Sequence, residues 1–174
     1  MTLPVILAIV TAAIGHPQPA GAAPPSSPSA STTSACAVTT PNHHAPPPGS
    51  DPRAAGSQSW FGNDAVGTSL WPEGTIVFRP GGSGFVLPDG ALSMKFLWLK
   101  APGARLTLSG HRVDDPSIAL RFDLDHQFDS KGFQPSALIF PTPGCWQVNA
   151  TTDGETLTFV TSVVKIGAGP AAAR

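Results

Sequence analysis

Charge is scarce in this chain. Only 12% of its 174 residues are charged, and 10 Lys and Arg against 11 Asp and Glu leave a net charge of -1. That balance gives no electrostatic drive toward nucleic acid or an anionic lipid surface. Cysteine is limited to two, Cys36 and Cys145. Tyrosine is absent, and nothing in the sequence explains why. No stretch combines a helical apolar period with capping residues, which excludes a helical architecture. The apolar run near the start, over 1–14, is shorter than the roughly 20 residues a stable membrane anchor needs. What is plentiful is proline, at 20, and glycine, at 18. Low charge with many turn formers fits a strand-and-turn protein outside the cell better than a helical cytosolic enzyme.

The chain divides by composition. Residues 1–22 read as an export signal: Leu3, Val5, Ile6, Leu7, Ile9, Val10 and Ile14 are followed by Ala20-Gly21-Ala22, an A-x-A cleavage pattern. Such signals begin with a positive segment, and no Lys or Arg precedes Arg53, so a start other than Met1 is expected. Residues 23–35 are Pro, Ser, Thr and Ala with almost no apolar bulk, and are expected to be a disordered spacer. Residues 36–59 remain proline-rich and read as an extended strap, 60–166 as the folded domain, and 167–174 as a frayed tail.

Within the domain, short aromatic and β-branched runs predict strands over 67–71, 75–79, 92–99, 105–110, 118–123, 136–140, 145–151 and 156–165. Pro72-Glu73-Gly74 and Asp153-Gly154 read as hairpin-type turns, and Pro88-Asp89-Gly90 as a turn. Short strands at this spacing predict an antiparallel, immunoglobulin-like β-sandwich, with a small barrel or jelly roll as the alternative. In Met94–Leu99, Met94, Phe96 and Trp98 share one face, so Trp98 is assigned to the core.

Alternation also places the cysteine. Trp146, Val148 and Ala150 form an apolar face, and Cys145, Gln147 and Asn149 lie opposite. Cys145 is therefore expected outside the sheet. A disulfide from Cys36 to Cys145 would staple the strap there, closing a loop of 109 residues. The alternatives are two free thiols, or a lipid on Cys36 after the small residues Ser34-Ala35.

Cys36-Ala37-Val38-Thr39-Thr40-Pro41-Asn42 resembles the CxVTxPN start of a family of uncharacterised exported bacterial proteins. The likeness continues through Leu70-Trp71-Pro72-Glu73-Gly74-Thr75, Phe85-Val86-Leu87-Pro88-Asp89-Gly90, LTLSGHRVD from Leu106 to Asp114, and FQPSALIFPTPGCWQV from Phe133 to Val148. It covers roughly 36–166, with His111-Arg112-Val113 departing from the pattern. It implies an immunoglobulin-like domain in an extracytoplasmic setting, and transfers no catalytic or binding residue.

Candidate chemistry is thin. Asp123, Asp125 and His126 come nearest to a metal site, yet calcium takes six or more oxygens and no full loop pattern supplies them. His43-His44 could hold a softer divalent ion, but lies in a flexible proline-rich segment. Ser109 and His111 with Asp114 or Asp115 invite a hydrolase reading that only geometry can decide, and no strand–GxSxG–helix context surrounds them. Pro80-Gly81-Gly82-Ser83-Gly84 lacks the Lys-Ser/Thr and helix of a phosphate loop. Asn149-Ala150-Thr151 is a glycosylation sequon inside a predicted strand. Trp60, Trp71, Trp98 and Trp146 would make a carbohydrate platform only if exposed together.

The expected protein is an exported, non-catalytic β-sandwich, a binding or structural module of the bacterial envelope. It has no cofactor, no nucleic-acid partner and no transmembrane span once the signal is removed. Its partner is an envelope or extracellular component. The alternative is a metal-dependent or hydrolytic enzyme using Asp123, Asp125 and His126.

Overall fold

The computed structural model describes residues 36–50 and 57–172. The export signal over 1–22, the spacer over 23–35, part of the strap over 51–56 and the final residues 173–174 lie outside the described residues. Ten strands are present among the described residues: β1 Trp60–Gly62, β2 Val66–Ser69, β3 Thr75–Phe78, β4 Phe85–Val86, β5 Leu92–Lys100, β6 Leu106–Arg112, β7 Arg121–Leu124, β8 Phe133–Phe140, β9 Gly144–Thr152 and β10 Glu155–Lys165. Their only helical accompaniment among the described residues is two single 3-10 turns, Pro72–Gly74 and His126–Phe128.

Two sheets face each other. One runs β1-β2-β5-β8-β7, with β4 also paired to β5; the other runs β3-β10-β9-β6. With β2, β5, β8 and β7 as A, B, E and D, and β6, β9 and β10 as C, F and G, this is the immunoglobulin strand order. The expected sandwich is present, with one departure from the antiparallel expectation: β3 pairs in parallel with β10, Thr75 opposite Ser162 through Phe78 opposite Lys165. The cause is the segment Pro72–Gly74. It does not close a hairpin; it carries the chain from β2 in one sheet to β3 in the other. Glu73 and Gly74 both adopt positive φ to make that crossing. Asp153 and Gly154, also at positive φ, do form the expected two-residue hairpin between β9 and β10.

Alternation along the long strands builds the core. Met94, Phe96 and Trp98 of β5 meet Trp146, Val148 and Ala150 of β9 and Phe159 of β10 in one apolar cluster. Phe96 stacks on Trp98 at 5.9 Å and on Phe159 at 6.1 Å, and Phe140 meets Trp146 edge-on at 5.6 Å. Each such side chain contributes about 1.5–3 kcal/mol on burial. The outer face of the β6-β9-β10 sheet is polar instead. There Asn149 accepts from Gln147 and Thr158 and donates to Ser109. The sequon asparagine is thus held within a side-chain network on a sheet face.

The C-terminal residues differ from the expected frayed tail. Gly169 and Pro170 are buried, and Ala172 forms a parallel bridge with Val86 of β4. Positive φ at Gly167 and Gly169 turns the chain back after β10, so 167–172 close an otherwise open edge.

Candidate functional site

The strap is stitched to the sandwich from end to end of its described residues. Cys36 and Cys145 form a disulfide with Cα atoms 5.5 Å apart. That excludes a lipid on the Cys36 sulfur, since the thioether would need the same atom. Cys145 is half-buried on the outer side of β9, while Trp146, its neighbour, is fully buried. The turn before it is braced by Arg112, whose guanidinium grips Asp114 through two bonds of 2.6 and 2.9 Å and donates to Thr142 Oγ1 at 3.1 Å. A Cβ on Gly144 would lie 2.9 Å from Arg112 Nε, and its φ of +147° disfavours any side chain, so PGCW needs its glycine twice over.

Beyond the disulfide the strap rounds the edge of the sandwich. Thr39 exchanges bonds with Val160 of β10: its N–H donates to the Val160 carbonyl and its hydroxyl accepts from the Val160 N–H, both at 2.9 Å. Asn42 then imitates a strand, its amide donating to Gly62 O at 2.7 Å and accepting from Gly62 N at 3.1 Å. These bonds cover the free edge of β1. The indole of Trp60 lies over Gly67 and donates to the His44 carbonyl at 2.6 Å.

The sequence-derived candidates do not assemble. Asp125 caps the turn His126–Phe128 by accepting from Gln127, and His126 pairs with Asp129 at 3.2 Å. Asp123 stands exposed on β7. No three His, Cys, Asp or Glu side chains cluster as metal ligands among the described residues. His111 sits on β6, in the opposite sheet from β7, so it does not join them. Asp114 is occupied by Arg112, which holds its carboxyl below the usual carboxylate range, and Asp115 is occupied by Ser117. Ser109 and His111 therefore have no acidic third member. His44 pairs with Asp64 at 2.8 Å, and His43 occupies a positive-φ position beside it. The glycine run at 81–84 makes the connection from β3 to β4.

Tryptophan is where the arrangement points to a surface. Trp60, Trp98 and Trp146 are buried, and each indole N–H has a protein acceptor: His44 O, Ser136 Oγ and Thr142 O. Trp71 is the exception. Half-buried against Phe96 at 6.4 Å, it has no hydrogen-bond partner for its N–H among the described residues. Trp71 and Pro72 are common to three adjoining grooves. One, of about 570 Å³, runs under the strap past Val38–Pro41; the largest, about 810 Å³, follows β3 past Thr75, Val77 and Arg79 down to Met94. The third is walled by Leu97, 44% exposed. An aromatic with one apolar face packed and one polar handle wet is the arrangement protein surfaces use for recognition. In the sequence, Trp71 differed from the other tryptophans only in preceding a proline turn, where a strand ends and half its ring loses cover.

A second residue escaped the sequence reading. Lys100 closes the apolar row of β5 and is fully buried, its ammonium donating to Asp129 O at 2.8 Å and Lys131 O at 3.2 Å. Burial pushes its pKa down, against the opposing charges of Asp129 and Asp153. The unfolded chain then binds more protons than the folded one between that lowered value and the ordinary lysine value of about 10.4, so stability rises with pH across this window. The absence of tyrosine removes the phenol ionisation, near pH 10, that would complicate the measurement. Urea midpoints measured at pH 7 and 10.5 should rise for the wild type, and rise less for Lys100→Met. Equal slopes would refute this account of Lys100.

No helix among the described residues is long and apolar enough to cross a membrane. The sequence matches no protein-family model and no curated protein.

Proposed function

We propose that this protein is an exported, non-catalytic module of the bacterial envelope that binds an extracytoplasmic partner through the grooves around Trp71. The observation that carries the reading is the contrast among the tryptophans: three are buried with acceptors, and the fourth has no acceptor for its N–H among the described residues where three grooves meet. The external disulfide supports the extracytoplasmic setting, because such bonds persist where the environment is oxidising. The strap supports a binding role as well, since Val38–Pro41 form one wall of a groove that the disulfide and Thr39 hold in place.

The test is retention of the full-length protein on a sedimented envelope fraction. Trp71→Ala should lower retention at least about tenfold, the loss expected of a central aromatic anchor. Trp71→Phe keeps a ring against Phe96 and controls for folding, which circular dichroism verifies for both variants. Equal retention of the wild type and a folded Trp71→Ala removes the groove from the function.

A further inference from the structure

The largest of the grooves has a property that says what fits it. β3 is an edge strand: among the described residues its one neighbour in the sheet is β10. Ile166 N–H donates to Phe78 O, so the backbone groups of Phe78, and by alternation those of Ile76, point toward β10. Those of Val77 point the opposite way, into the groove, and none of them is bonded to the described residues. The Thr75 N–H is taken by Pro72 O, and the Arg79 carbonyl by Gly82 N–H. What is left open is a short ladder centred on Val77.

That edge is guarded by its shortness and by Arg79 and Pro80 at its end, and by nothing at its centre among the described residues. Sheet edges are ordinarily protected by brevity, charge, proline, a bulge or a covering segment. β3 reads Thr-Ile-Val-Phe, regular and uncharged, with Val77 39% exposed. The strap covers β1 and meets β10 at Val160, and the tail 167–172 covers β4; neither is bonded to Val77. The groove beside it descends between the sheets to Met94, a core residue, with Trp71 as its wall. An apolar side chain entering there meets core, and a peptide carbonyl is within the chemistry of the free indole N–H.

We propose that β3 accepts an extended peptide segment of a partner protein as an added strand, paired to the backbone of Val77, with an apolar side chain inserted beside Trp71 above Met94. This is recognition by strand addition, in which main-chain bonds hold the ligand and pockets for alternate side chains select it. The partner segment alternates small or β-branched residues with apolar ones, and Glu73 and Arg79 on the groove lining face its polar flanks. The inference rests on the binding reading above and names its ligand class.

The probe is a displayed library of random octapeptides panned on the full-length protein, with the selected sequences then synthesised. Two variants isolate the edge: Val77→Pro removes the outward N–H while sparing the bonds to β10, and Trp71→Phe trims the groove wall. The expected result is selected peptides of alternating apolar pattern that slow hydrogen exchange of the Val77 amide and bind Val77→Pro at least about tenfold more weakly, as loss of anchoring backbone contacts requires. N-methylation of the peptide residue facing Val77 should abolish binding. The inference is overturned if no selected peptide protects the Val77 amide. It is overturned equally if Val77→Pro dissociates a dimer of this chain, which assigns the edge to a second copy, or if protein-free dextran or peptidoglycan competes for the groove. Envelope retention that depends on Trp71 but ignores Val77→Pro would leave the binding reading standing and remove the strand-addition inference alone.

Discussion

Cys36→Ser is expected to lower the melting temperature by roughly 10–20 °C, from the loss of about 4–5 kcal/mol in the chain-entropy account of cross-links. The magnitude follows from the length of the loop, a sequence separation of 109 from Cys36 to Cys145. Thermal unfolding followed by circular dichroism checks it, and reducing the wild type with dithiothreitol should reproduce the variant. The loss is local as well as global. With the bond cut, the first turn of the strap depends on the two Thr39–Val160 bonds, which link it to a half-buried part of β10. Limited proteolysis should therefore cleave within 36–50 before it cleaves the sandwich. Unchanged melting together with unchanged protease sensitivity would sink the idea that the disulfide staples the strap.

Trp60→Ala should cost about 3–5 kcal/mol, the range for removing a large buried aromatic. Trp60 is 3% exposed although it stands on the outer face of its sheet. It is covered because its ring lies against Gly67 and its N–H holds the His44 carbonyl, so the same side chain fills a space and fastens the strap. Gly67→Ala makes the complementary lesion. A Cβ there would stand 2.2 Å from the indole, and the ring must leave its seat. The two substitutions should give similar losses of chemical stability, and their combination should fall short of additivity because both remove one contact. Cys36→Ser and Trp60→Ala should also couple, since each alone leaves the strap with the other anchor. Full additivity would mean that the disulfide and the indole secure independent parts of the chain.

Much of the architecture was readable residue by residue. Period-two alternation placed Trp98 and Trp146 inside and Cys145 outside, and the same parity holds in the folded sheets because a side chain on a pleated strand has only two directions to point. Asp153-Gly154 announced its hairpin because both residues tolerate positive φ. The brief strands β1 and β4 passed unseen. Three and two residues carry no period; β1 is held by its neighbour β2 and by the strap, and β4 by β5 and Ala172. The strand expected over 118–123 begins later, at Arg121, because 118–120 turns back on β6 instead, where Leu120 N–H reaches Gly110 O.

The site was less legible than the fold. The two acids and the histidine at 123–126 looked like ligands on paper, yet Asp125 and His126 bond within their own turn and Asp123 stands exposed on β7. Lys100 looked like the polar end of a strand and is buried, because the carbonyls that receive it come from a loop about thirty residues onward.

By itself the sequence determined the class of object: a low-charge, strand-built domain with one exterior cysteine beside one interior tryptophan. Composition and parity are local properties, and local properties suffice for them. The tertiary structure alone decided that Pro72–Gly74 changes sheets, that β3 joins β10 in parallel, and that among the described residues neither its other edge nor the Trp71 N–H finds a partner. Each of those depends on which segments, some eighty residues apart, come to lie side by side, and a hydrogen-bond donor is left unpaired only relative to neighbours that the chain order does not reveal.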